Sequence, residues 1–197
     1  MTKNPLAEKL KDRKLILGSG SPRRRIFLEE MGLDFEIRPI PVDEVYPENL
    51  KGQEISDYLA RLKAEPFKAE LKPNEIVITS DTVVWYKGNS LAKAANKAEA
   101  FEMLRTLSDD WHEVITSVCF TTLDSQKTVS ATTMVKFMDF SDAEINYYIE
   151  KCHPFDKAGA YGIQEWIGLI GISEIKGPYT NVVGLPTHLV YKILMEL

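Results

Sequence analysis

Cysteine is scarce: Cys119 and Cys152 are the only two, far apart and without ligand spacing, which excludes a disulfide framework and a cysteine metal site and suits a reducing compartment. No run of about 18 apolar residues occurs, so no membrane-spanning helix is expected. The opening MTKNPLAEKLKDRK is charged where a signal peptide needs an apolar stretch, and a cytoplasmic location is therefore expected. Repeats, low-complexity tracts and Pro/Gly/Ser-rich linkers are missing, so nothing divides the chain into independent domains. A P-loop GxxxxGK[ST] and a dinucleotide GxGxxG are missing too, which removes the commonest kinase and dinucleotide-binding readings. His112, His153 and His188 have neither metal-ligand spacing nor a Ser or Cys partner signature, and no chemistry is assigned to them. The net charge of -5 opposes a nucleic-acid surface, although a small anionic ligand needs only a pocket.

What is present suits a folded enzyme. The 197 residues are 44% hydrophobic and 27% charged, enough for one domain or two closely joined lobes. The stretch 15–32, LILGSGSPRRRIFLEEMG, reads as a buried strand, a small-residue turn and a helix with Ser21 as N-cap, Pro22 at its first position and Gly32 past its end. A strand at 35–42 and a helix within 52–71, kinked or ended at Pro66, follow. The β-branched run 75–86, EIVITSDTVVWY, predicts a strand, and KGN a turn. Asn96 and Ser141 each open a further helix, with Glu99 and Glu144 at capping-box spacing. Between those helices, 112–123 and 127–140 predict an antiparallel hairpin. A strand around 169–175, a turn-rich 176–185 and a last helix opened by Pro186 complete an α/β chain with a mixed, twisted sheet, flanking helices and a central cleft.

Two constellations carry chemistry. Ser19 to Arg25 set free helix N–H groups beside three arginines, which lie at the unfavourable end of the macrodipole at roughly 0.3–1 kcal/mol each. A bound phosphate turns that cost into affinity; a solvated basic turn is the plainer alternative. The second is carboxylate: Asp81 stands inside the apolar VITSDTVV, where an ion is costly unless paired or coordinating, and Glu44 is its candidate companion for a metal. A turn-capping aspartate remains open. Lys63 and Lys93 supply point charges suited to a phosphate tail.

Several strings, in order, resemble the Maf family of nucleotide pyrophosphatases: SGSPRR at 19–24, LARLKA with Lys63, SDTVV at 80–84, Lys93 after the KGN turn, DKAGAYGIQ at 156–164 and VVGLP at 182–186. The resemblance implies a single two-lobed domain over residues 1–197, with 1–13 as an N-terminal extension. It implies cleavage of a nucleoside triphosphate between the α- and β-phosphates with a divalent cation, Mg²⁺ or Mn²⁺, as a housecleaning reaction. Ser21, Arg23 and Arg24 would bind phosphate, Lys63 and Lys93 would neutralise the leaving pyrophosphate, and Glu44 and Asp81 would bind metal or activate water. Thr82 and Gln164 would lie near the base. SDT at 80–82 resembles the dTTP/UTP branch, where the branch acting on 7-methyl-GTP has SDQ. Alternatives are a pyrophosphatase for 7-methyl-GTP or for ITP and XTP, and a non-catalytic nucleotide-binding regulator of septum formation. The family also implies a possible homodimer. One departure is LAKAAN at 91–96, which lacks the proline that usually follows the lysine.

Overall fold

The computed structural model describes residues 3–197. Among the described residues seven strands form one mixed sheet. The first half runs α1 (Pro5–Lys9), β1 (Lys14–Leu17), α2 (Pro22–Glu30), β2 (Phe35–Ile37), α3 (Gln53–Leu62), β3 (Glu75–Tyr86) and β4 (Asn89–Leu91). The second runs α4 (Lys97–Leu107), β5 (Trp111–Thr121), β6 (Gln126–Phe137), α5 (Asp142–Cys152), α6 (Trp166–Gly171), β7 (Ile172–Lys176), α7 (Tyr179–Val183) and α8 (Thr187–Glu196). The strand order is β2-β1-β3-β5-β6-β7, with β4 pairing β3; β2, β1 and β3 are parallel and β3 to β7 antiparallel, so the sheet is mixed as expected.

Local signals act where they were read. Asn96 accepts the Glu99 N–H at the start of α4, and Ser141 with Glu144 forms a complete capping box on α5. Gly32 takes a φ of +69° just past α2, a conformation that glycine adopts without strain. The β5–β6 hairpin pairs Trp111 with Lys136 through to Thr121 with Gln126.

Three expectations change. The strand expected at 35–42 stops at Ile37, because Pro39 and Pro41 have no N–H to give a ladder. Leu169 to Gly171, expected to begin a strand, close α6 instead. That helix packs too tightly for side chains: a Cβ on Gly168 would lie 1.8 Å from the Ile163 carbonyl oxygen, and one on Gly171 2.1 Å from the Phe140 ring. The turn-rich 176–185 contains α7, anchored by Asn181, whose amide donates to the Val114 carbonyl at 2.9 Å. In the segment expected as an N-terminal extension, Leu6, 1% exposed, and Leu10 pack with Leu28, Ile193 and Leu194.

The core falls into two large apolar clusters. One joins α1, α2 and α8 to β1 and β3; the other joins α4, α5 and the 160–167 segment to the ends of β5 and β6. A smaller cluster of Ile55, Leu59 and Val83 seats α3 on the sheet.

Candidate active site

The site grows from a gap in the sheet. Strand β1 pairs with β3 only as far as Leu17 opposite Ile78, and β4 joins β3 only from Leu91 opposite Val84. Residues 79–83 therefore have β5 on one side and an open edge on the other. The chain leaves β1 through Gly18, where a Cβ would come within 2.8 Å of Thr79 Cγ2, so the turn can pass this close only without a side chain. Ligand sites in α/β sheets gather at such carboxyl ends of parallel strands.

Alternation along β3 sorts its residues by face. Thr79, Asp81 and Val83 face α3: the Thr79 hydroxyl donates to the Ala60 carbonyl at 2.6 Å, and Val83 packs on Ile55 and Leu59. Lys63, at the end of α3, thereby meets Asp81, with Nζ to Oδ1 at 2.6 Å, and reaches Glu44 Oε1 at 3.2 Å. Asp81 is 6% exposed, and burial pushes its carboxyl above the usual range, against the pull of Lys63. Glu44 is more open: burial raises its carboxyl, but Lys63 and Lys93 outweigh that and leave it below its ordinary value. Two carboxylates and two lysines thus share one electrostatic field.

Arg24 is placed differently from the expected free phosphate grip. Its guanidinium fills the open edge, donating to the Ser80 carbonyl at 2.7 Å, the Gly184 carbonyl at 2.9 Å, the Ser19 hydroxyl at 3.2 Å and the Thr82 hydroxyl at 3.3 Å. Burial pulls it down to about 10, still charged at neutral pH. Thr82 lies on the face opposite Asp81. Thr116 donates to the Asn181 carbonyl at 2.8 Å, so the 3.0 Å contact between the two threonines spends the Thr82 proton, leaving Thr82 only an acceptor.

Arg23 is less enclosed: among the described residues its guanidinium has one polar partner, the exposed Asp156 at 3.4 Å. Ser21 occupies the N-cap of α2, but its side chain makes no capping bond. The first N–H groups of α2 are thus left available to a ligand. Lys93 is exposed and pairs by its backbone with Ala158, bringing the segment after β4 against the glycine-rich loop. Gln164, in that loop, is exposed and makes no side-chain hydrogen bond among the described residues. A residue missed by sequence reasoning is Lys157, which is buried between Asp156 and Glu165; the signal was its place inside DKAGAYGIQ.

Among the described residues no group of three or more His, Cys, Asp or Glu side chains could hold a metal. Glu44 and Asp81 remain a two-carboxylate set, both touching the Lys63 ammonium. That is the number of protein carboxylates with which a hard cation such as Mg²⁺ sits when phosphate oxygens and water complete its shell.

Known proteins align with this chain over nearly its whole length. A protein named dTTP/UTP pyrophosphatase from Flavobacterium johnsoniae is 53% identical over 98% of this chain and 99% of its own. One of the same name from Christiangramia forsetii is 52% identical over 98% of both chains. The solved structure of the Staphylococcus aureus Ham1 protein is similar over 64% of this chain and 73% of its own, at 15% identity and a TM-score of 0.46, too remote to bear on the site. The model of the Maf-like protein family matches residues 14–197, which takes in the SGSPRR turn, the Lys63–Asp81 pair and the glycine-rich loop, and the chain belongs to that family.

Proposed function

We propose that this chain hydrolyses dTTP and UTP to the nucleoside monophosphate and pyrophosphate. The observation that carries the reading is the contact of Lys63 with both Asp81 and Glu44 at the open edge of β3, next to the uncapped start of α2. The names of its relatives from Flavobacterium johnsoniae and Christiangramia forsetii supply the substrates.

In this reading the N–H groups of α2, Ser21 and Arg23 bind the phosphates, while Arg24 braces the strand that presents Asp81. Lys63 and Lys93 neutralise the charge that grows on the leaving pyrophosphate. Asp81, raised by burial, orients or deprotonates the water that attacks the α-phosphorus in line. Glu44 and Asp81 would hold Mg²⁺ or Mn²⁺ with the phosphate oxygens, and the cation would supply further charge neutralisation there. Gln164, whose amide donates and accepts, pairs the uracil or thymine edge; Thr82 contributes its place on the same strand and a remaining acceptor. We place the reaction in the cytoplasm, with the chain as a homodimer.

The deciding experiment is steady-state kinetics with Mg²⁺ or Mn²⁺ on dTTP, UTP, CTP, GTP, ITP and 7-methyl-GTP, following pyrophosphate and orthophosphate separately. Pyrophosphate release with the highest kcat/KM on dTTP and UTP is expected. A higher kcat/KM on 7-methyl-GTP or ITP than on both would overturn the substrate assignment.

A further inference from the structure

We infer that Lys157 is a positioning residue that locks the glycine-rich loop, so that one buried ion pair sets the place of Arg23 and Gln164 together. The inference rests on the pyrophosphatase reading above. Lys157 is 8% exposed and its ammonium lies 2.7 Å from Asp156 and 3.0 Å from Glu165. A buried lysine is costly unless paired, so both carboxylates are held to it. Glu165 also accepts the Tyr148 hydroxyl from α5, and Tyr148, its proton spent, accepts the Gly162 N–H at 3.0 Å. The loop closes on this pair without spare room: a Cβ on Gly162 would come within 2.9 Å of the Glu165 carboxyl carbon and 3.1 Å of Lys157 Cε.

Each end of the lock reaches a group expected to meet substrate. Asp156 bridges Lys157 to Arg23, at 3.4 Å from its guanidinium. Gly159, with a φ of +67°, donates its N–H to the Leu91 carbonyl at 3.0 Å, and Ala158 pairs with Lys93 through the backbone alone, which leaves the exposed lysine side chain outside the lock. Ala160 holds a φ of +55°, a strain of order 1–2 kcal/mol that the surroundings must maintain. Gln164 directly precedes Glu165, so the anchor of one fixes the backbone of the other. Asp81 and Lys63 sit on the other face of the sheet, against α3, and are not part of the lock. Loss of the lock should therefore change substrate binding and base choice more than the chemical step.

The test is Lys157→Met and Lys157→Arg in the full chain, with steady-state kinetics on UTP and CTP and a thermal melt of each variant. For Lys157→Met we expect KM for UTP to rise about tenfold, kcat to stay within about threefold, and the UTP:CTP ratio of kcat/KM to shrink about fivefold. Lys157→Arg should restore most of both. If Lys157→Met fails to fold, Lys157→Met/Glu165→Gln leaves no unpaired charge and gives the same readings. A folded variant with wild-type KM and an unchanged UTP:CTP ratio overturns the inference, as does an equal loss of kcat on both bases. Should the wild type hydrolyse neither triphosphate, the pyrophosphatase reading fails by itself. The lock is then judged by hydrogen exchange over residues 156–165, where unchanged protection in the variant overturns it.

Discussion

Asp81 and Thr82, neighbours in β3, project to opposite faces of the sheet: Asp81 contacts Lys63 on the α3 side, and Thr82 contacts Arg24 and Thr116 on the other. The strand thus joins an ionic centre to a hydrogen-bonded brace, and the two can be disturbed separately.

Asp81→Asn should lower pyrophosphate release by about 10²-fold or more with a thermal melt near that of the wild type, because a charge is lost with little change in volume. Burial raises the Asp81 carboxyl, so wild-type activity should climb with pH through a value above the ordinary aspartate range as Asp81 ionises. Residual activity of the variant should lack that acid limb. Full turnover by a folded Asp81→Asn protein would remove Asp81 from the reaction.

The two arginines should separate. Arg24→Ala leaves the Ser80 and Gly184 carbonyls without their donor and should cost about 2–4 kcal/mol in a denaturant titration, with lower kcat because β3 loses its brace beside Asp81. Arg24→Lys should not rescue it, since an ammonium cannot span acceptors set for a planar fork. Arg23→Ala, whose partner is an exposed carboxylate, should change stability by less than about 0.5 kcal/mol yet weaken nucleotide binding. Equal stability of the two alanine variants would contradict this division.

His112 should make the fold acid-sensitive. Burial pushes its imidazole down to about 4, opposed by Asp110, and its ring nitrogen Nε2 meets the Tyr161 hydroxyl at 2.7 Å. Between about 4 and the ordinary 6.5 the unfolded chain binds a proton that the folded one refuses. Stability is therefore complete above pH 6.5 and falls as pH drops toward 4, by a total of about 3 kcal/mol. Denaturant titrations of wild type and His112→Phe across this window should show the wild type losing about 3 kcal/mol more than the variant as pH falls from 6.5 to 4.

The N-terminal segment should be needed for stability. Leu6→Ala removes a core side chain packed against α8 and should cost about 2–4 kcal/mol, measured by chemical denaturation. A loss below about 0.5 kcal/mol would mean that residues before β1 are dispensable.

The sequence by itself determined what depends on a few adjacent residues: the Asn96 and Ser141 caps, Gly32 after α2, the β5–β6 hairpin, and Asp81 as an ion inside an apolar strand. Each rests on a capping bond, a backbone angle or a desolvation cost set within one turn or strand. Tertiary structure decided where β1 leaves β3, and that departure opens the edge on which the site is built. Strand order then set the surroundings of charged residues that local pattern could not tell apart. Arg23 and Arg24 are adjacent, yet only the second lies within reach of Ser80 and Gly184, 56 and 160 residues along the chain. The start of β7 is not legible in the sequence for the same reason, because α6 depends on Gly168 and Gly171 packing against Ile163 and Phe140. Lys157 looked like any loop lysine until Glu165 and Tyr148 closed around it, since burial, which makes its charge consequential, is a property of the packed chain alone.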